Sequence, residues 1–200
     1  MKKTNLAILV AALFAPVIAN AGSDCGPQIC ALSVVENSQG ALNNGGVIPA
    51  SWNRANPDYA LGAPNGTAPG TFYALGFTDS AGGPAGSVVL DMGQLIGGEI
   101  TVYEATNYLS TGGDYPAEYA RVYGSQDPAG PWTYIGAVNN ASGKISDPIE
   151  NTNTTTLGLC GAFYQYIKLE DASDSVGWSP YTRLDGFDLD AVCVGSCPTY

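Results

Sequence analysis

Near the C-terminus, Leu184-Asp185-Gly186-Phe187-Asp188-Leu189-Asp190-Ala191-Val192 sets carboxylates beside an apolar row. Asp185-Gly186 reads as a turn, because glycine takes positive φ freely and aspartate bonds its own backbone. In the strand that comes next, side chains alternate. Phe187, Leu189 and Ala191 then take one face, and Asp188 and Asp190 the other, roughly 6.5–7 Å apart. Two carboxylates at that spacing repel unless a cation or hydrogen-bond donors answer them. Glu104 raises the same question, since it follows Ile100 and Val102 at two-residue spacing and is aimed inward with them. A buried carboxylate is costly unless it is paired or bound to metal. Asp171 and Asp174 follow another apolar run, and loop carbonyls near Asn56 and Asp58 add further oxygens. Calcium accepts about six to eight oxygens in irregular geometry, so the expected metal set is Glu104, Asp188, Asp190, Asp171 and Asp58 around a calcium ion. The competing reading pairs Glu104 with Arg121 or Arg183, or has it accept from loop amides.

Catalysis finds less support. The chain has no histidine, which removes the usual serine and cysteine triads and most catalytic zinc sites. Asp188 and Asp190 meet the shorter carboxylate separation of a glycosidase, about 5 Å and upward, but neighbours on one strand face seldom straddle a sugar. Binding is the better expectation. Trp52, Asn53, Arg54, Trp178, Tyr181 and Arg183 are the ligand-binding candidates, since stacking aromatics beside hydrogen-bonding groups suit the apolar face and hydroxyl rim of a carbohydrate. Trp52 and Trp178 have a second reading as plugs at the ends of the fold, with Trp132 in its core.

These groups must be positioned by strands. Glycine, proline, asparagine, serine and threonine recur every few residues and no stretch sustains helical periodicity, so the chain reads as all-β. The expected strands are 31–36, 87–92, 98–104, 119–125, 132–138, 163–170 and 187–194, with an eighth around 72–77. Short strands between turns point to a jelly-roll β-sandwich. Alternation puts Val88, Leu90, Met92, Ile100, Val102, Ala120, Val122, Ile167 and Leu169 in its core. The long connection 43–84 wraps one end or carries function.

Lys2 and Lys3, the apolar run 6–18 and Ala19-Asn20-Ala21 have the form of a signal peptide over 1–21, cleaved before Gly22. Residues 22–200 then form a single exported domain, periplasmic, extracellular or associated with a cell surface, with no membrane insertion expected. Loss of Lys2 and Lys3 takes the formal net charge from −11 to −13, which makes nucleic acid and anionic membranes poor partners. The cysteines cluster at the chain's two ends. Cys25, Cys30, Cys193 and Cys197 are the disulfide candidates in open pairing, and Cys160 is the thiol left over.

One ordered series of motifs runs through the chain: Asp58-Tyr-Ala-Leu-Gly-Ala-Pro64, Gly86-Ser-Val-Val-Leu-Asp91, Ile100-Thr-Val-Tyr-Glu104, Pro116-Ala-Glu-Tyr-Ala-Arg-Val-Tyr-Gly-Ser125, Trp132-Thr-Tyr-Ile-Gly136, Tyr166-Ile-Lys-Leu-Glu-Asp171 and Asp185-Gly-Phe-Asp-Leu-Asp-Ala-Val192. Over roughly 31–194 it resembles a group of secreted bacterial cell-surface proteins similar to discoidin or galactose-binding-like jelly rolls. The resemblance implies a β-sandwich with a binding surface on its end loops, often with a structural calcium ion. The expected function is therefore a secreted, non-catalytic, calcium-stabilised module for carbohydrate or a surface partner. The rival is a subunit of an extracellular matrix or filament, disulfide-linked through the odd cysteine or self-assembled. A glycoside hydrolase ranks third.

Overall fold

The computed structural model describes residues 28–66, 70–78, 84–105, 118–140, 152–173 and 184–195. In chain order the strands are β1 (Ile29–Cys30), β2 (Ser33–Ser38), β3 (Tyr73–Ala74), β4 (Ser87–Ile96), β5 (Glu99–Ala105), β6 (Tyr119–Ser125), β7 (Thr133–Asn139), β8 (Thr152–Gly158), β9 (Tyr164–Asp171) and β10 (Asp188–Val194). One sheet runs β1-β10-β5-β8, with β3 also paired to β10; the other runs β2-β4-β9-β6-β7. All pairs are antiparallel. From β4 onward the chain changes sheet at every connection except the β6–β7 hairpin, which is the crossing pattern of a jelly roll. The expected all-β sandwich is therefore the observed one.

The core lies where alternation puts it. Val88, Leu90, Met92, Ile100, Val102, Ala120, Val122, Ile167 and Leu169 are buried between the sheets, joined by Phe187 and Leu189. Burying one such side chain contributes about 1.5–3 kcal/mol, and the two inner faces together form a single cluster.

Three local departures shape the ends of the sandwich. The expected strand 72–77 shortens to Tyr73–Ala74, because Gly76 at φ 87° turns the chain away. The strand β8 is not among the expected ones, although its threonines suit a pleated surface; Thr156 Oγ1 lies 3.2 Å from Thr101 Oγ1 across the β5–β8 pair. In β10 the register against β5 passes from Leu189–Glu104 to Ala191–Tyr103, so Asp190 is the extra residue of a bulge. Alternation restarts there. Val192 faces the main core while Ala191 packs outside with Cys193, Cys30 and Tyr103, which corrects the expected row of Phe187, Leu189 and Ala191.

Cys30 stands directly opposite Cys193 in the β1–β10 pair and is bonded to it, closing the first described strand onto the last. Cys25 and Cys197 lie outside the described residues. Cys160 is a free, exposed thiol.

Candidate functional site

The two ends of the sandwich differ in chemistry. At one end β5 and β9 finish and β6 and β10 begin, and five carboxylates arrive there from four segments: Glu104, Glu118, Asp171, and Asp185 with Asp188. None is more than 3% exposed. Glu104 is aimed inward by the phase of Ile100 and Val102, as its spacing implied. Glu118 shares the phase of Ala120 and Val122 and is absent from the expected set, although the same spacing marks it.

Each acid is answered differently. Asp171 accepts from Phe187 N at 2.7 Å, Ser173 N at 2.9 Å and Ser173 Oγ at 3.2 Å. Its Oδ2 fits only because Gly186, at φ 77°, leaves no Cβ in the way. Burial nevertheless outweighs these bonds and pushes its carboxyl up to about 7, with Asp185 adding to the rise. Glu118 holds Asn140, whose side-chain oxygen accepts from Glu118 N at 2.7 Å and whose backbone N–H donates to Glu118 O at 3.2 Å. Burial, then the charge of Asp188, raises Glu118 well above the carboxylate range. Asp185 accepts from Arg54 Nη1 at 2.9 and 3.1 Å; burial raises its carboxyl against the pull of that guanidinium. Asp188 is fully buried and, among the described residues, neither of its oxygens has a hydrogen-bond donor. Burial and the neighbouring Asp185 raise it well above its usual range, while Arg54, 3.9 Å away, acts the other way.

The expected calcium donors are only partly brought together. Asp190 leaves the group at the bulge and accepts from Asn65 N at 3.1 Å and Gly66 N at 3.4 Å; burial raises its carboxyl despite those amides. Asp58 is exposed in the 3₁₀ turn Pro57–Ala60. Asp171 is committed to backbone donors. Among the described residues no three acidic or cysteine side chains are gathered so as to hold a metal ion. As a calcium shell, the expected five do not fit.

Nor does the expected ligand set assemble. Arg54 does not face solvent: its side chain is 15% exposed, with the guanidinium 5.0 Å from the Phe72 ring and 5.9 Å from the Trp52 ring. Trp52 is half-buried against Leu42, Ile48 and Ala74, which is the plug reading. Asn53 is exposed at φ 56°. Trp178, Tyr181 and Arg183 fall outside the described residues.

The opposite end carries an open groove of about 490 Å³ between the β6–β7 turn and the approach to β9. Phe163, 57% exposed, forms one wall. Tyr164 lies across Gly124, where any Cβ would meet its ring. Ser125, Gln126, Asp127 and Thr133 make the polar side, and Gln126 Nε2 donates to Phe163 O at 3.1 Å, fixing the two walls relative to one another. A second hollow of about 200 Å³ shares Thr133, Ala162 and Tyr164 and extends to Tyr134 and Cys160. An exposed ring beside hydrogen-bonding side chains can stack on an apolar ligand face while holding its hydroxyls. Neither Phe163 nor Gln126 stands out in the sequence. Phe163 reads there as the start of a strand; it lies just ahead of β9, where its ring closes over Gly97.

No protein-family model matches the chain, and no curated protein matches it. Among solved structures, it is similar to the C-terminal domain of a chitobiase from Bacteroides fragilis, at 15% identity and a TM-score of 0.46 over 82% of this chain and 93% of that one. It is also similar to the family 32 carbohydrate-binding module of EndoD from Streptococcus pneumoniae, at 12% identity and a TM-score of 0.44 over 86% and 98%. A third, CpGH89 from Clostridium perfringens, has 15% identity and a TM-score of 0.36; the match takes in 56% of this chain but only 10% of that one. The sandwich itself is established by the strand order described above.

Proposed function

We propose that this chain is a secreted, non-catalytic module that binds carbohydrate in the groove at the β6–β7 end. The observation that carries the reading is the pairing of an exposed Phe163 ring with the Gln126, Asp127 and Thr133 side chains around one open groove. The carboxylates weighed for glycoside hydrolysis do not line it. Asp188 and Asp190 are both fully buried, and Asp190 is turned onto loop amides, so neither is open to a substrate.

A glycan array followed by calorimetry on the best-bound sugar tests this. Phe163→Ala is expected to weaken binding tenfold or more, about 1.4 kcal/mol, while leaving the melting temperature unchanged within about 2 °C, because the ring is more than half exposed. A variant that binds as the parent does, or a parent that retains no glycan, would remove the proposal.

A further inference from the structure

The acidic end holds five buried carboxylates, and a collection of that kind demands positive charge. The arrangement around Arg54 supplies some. Its Nη1 reaches both oxygens of Asp185 and stands 3.9 Å from Asp188, so one atom faces two acids. The residue is also fastened along its length. Its carbonyl accepts from Ala74 N at 3.0 Å and Gln39 Nε2 at 3.2 Å. Gln39 Nε2 in turn donates to Ala74 O at 2.9 Å, and the guanidinium lies within cation–π reach of the Phe72 and Trp52 rings. A planar guanidinium that stacks on aromatic faces and stays charged at all working pH is suited to such a position, as a lysine is not.

We propose that Arg54 is the resident cation of the acidic end, filling the electrical place where calcium was expected, and that this end of the sandwich closes without a metal ion. The other acids are served by the protein itself. Asp171 has the Phe187 and Ser173 donors and Glu118 has Asn140, while Asp190 and Asp58 stand apart from the group. Glu118 and Asp188, which Arg54 does not hydrogen-bond, are pushed by burial toward the protonated form, Glu118 with Asp188 adding to the rise and Asp188 with Asp185 adding to it. The inference concerns the end opposite the groove and does not depend on what the groove binds.

Thermal melts of the purified protein in calcium chloride and in a chelator test it, together with metal analysis. The parent should melt at the same temperature within about 1 °C in both. Arg54→Ala should lose roughly 10 °C, the scale expected when a buried carboxylate is left unpaired. Adding Asp185→Asn to Arg54→Ala should recover part of that loss, because it removes the orphaned charge. Methylguanidinium should raise the melting temperature of Arg54→Ala and not that of the parent. If Arg54→Ala does not fold, Arg54→Gln takes its place in the same comparisons. A calcium-dependent rise of about 5 °C or more in the parent, or stoichiometric metal in it, would overturn the inference. So would a double variant no more stable than Arg54→Ala, since that would make the residue a matter of packing alone.

Discussion

Asp171 gives the sharpest quantitative test of the acidic end. Its carboxylate accepts three hydrogen bonds, which by themselves would depress its pKa, yet burial pushes it from the usual 3.8 up to about 7. Proton linkage sets the sign. Between about pH 4 and pH 7 the native state holds the proton and the unfolded chain has released it. Stability is then fully present below the unfolded value and is lost as pH rises through the folded one. The slope is about 1.4 kcal/mol per pH unit, and the whole window amounts to about 4 kcal/mol. Asp171→Asn does not titrate and keeps an oxygen to accept from Phe187 N. Urea denaturation of parent and variant at half-unit steps from pH 4 to pH 8 should show the parent's advantage falling by about that amount, with most of the change before pH 7. Taking the difference cancels the acids common to both proteins. A flat difference, or one that grows with pH, would mean that the three donors outweigh burial and that Asp171 is ionised in the native state.

Two further substitutions test the frame. A Cβ on Gly86 would fall on the Leu75 carbonyl oxygen and crowd Gly40 N, all backbone, so Gly86→Ala should cost about 3 kcal/mol or more by chemical denaturation; a loss below about 1 kcal/mol would refute the close approach. The Cys30–Cys193 bond spans 163 residues, and its replacement by two alanines should lower stability by up to about 5 kcal/mol. A double-alanine variant as stable as the parent would show that β1 is held by its pairing alone.

What could be read from the residues was whatever repeats along a strand. The bounds of β6, Tyr119–Ser125, match the expected ones because Ala120 and Val122 alternate cleanly with outward residues. Glu104 is placed inward by the same rule, and Glu118 obeys it too. The rule fails at Asp190, where one extra residue restarts the alternation and sends Ala191 to the outer face. No local pattern marks a bulge of that kind, since it depends on the neighbouring strand's register. The strand β8 escapes for a different reason: its threonines are polar, and only pairing with β5 shows them as sheet formers.

Arg54 departs from its expected role because its partner is 131 residues away. Read locally, an arginine between Trp52 and a proline-containing turn looks like a ligand contact on a loop. The same side chain is an internal counter-ion once the loop is folded against the start of β10, and the aromatic rings beside it stack on the guanidinium rather than on a sugar. The molecule thus divides its work between its two ends. The Arg54 loop is committed to neutralising the carboxylates where β5 ends and β10 begins, so it has little freedom to adapt to a ligand. Phe163, on the far end, is exposed and lines a groove whose walls are tied by one hydrogen bond from Gln126. Changes at the first end should therefore register as stability and changes at the second as binding. A substitution at Arg54 that altered glycan affinity without altering the melting temperature would show that the two ends communicate.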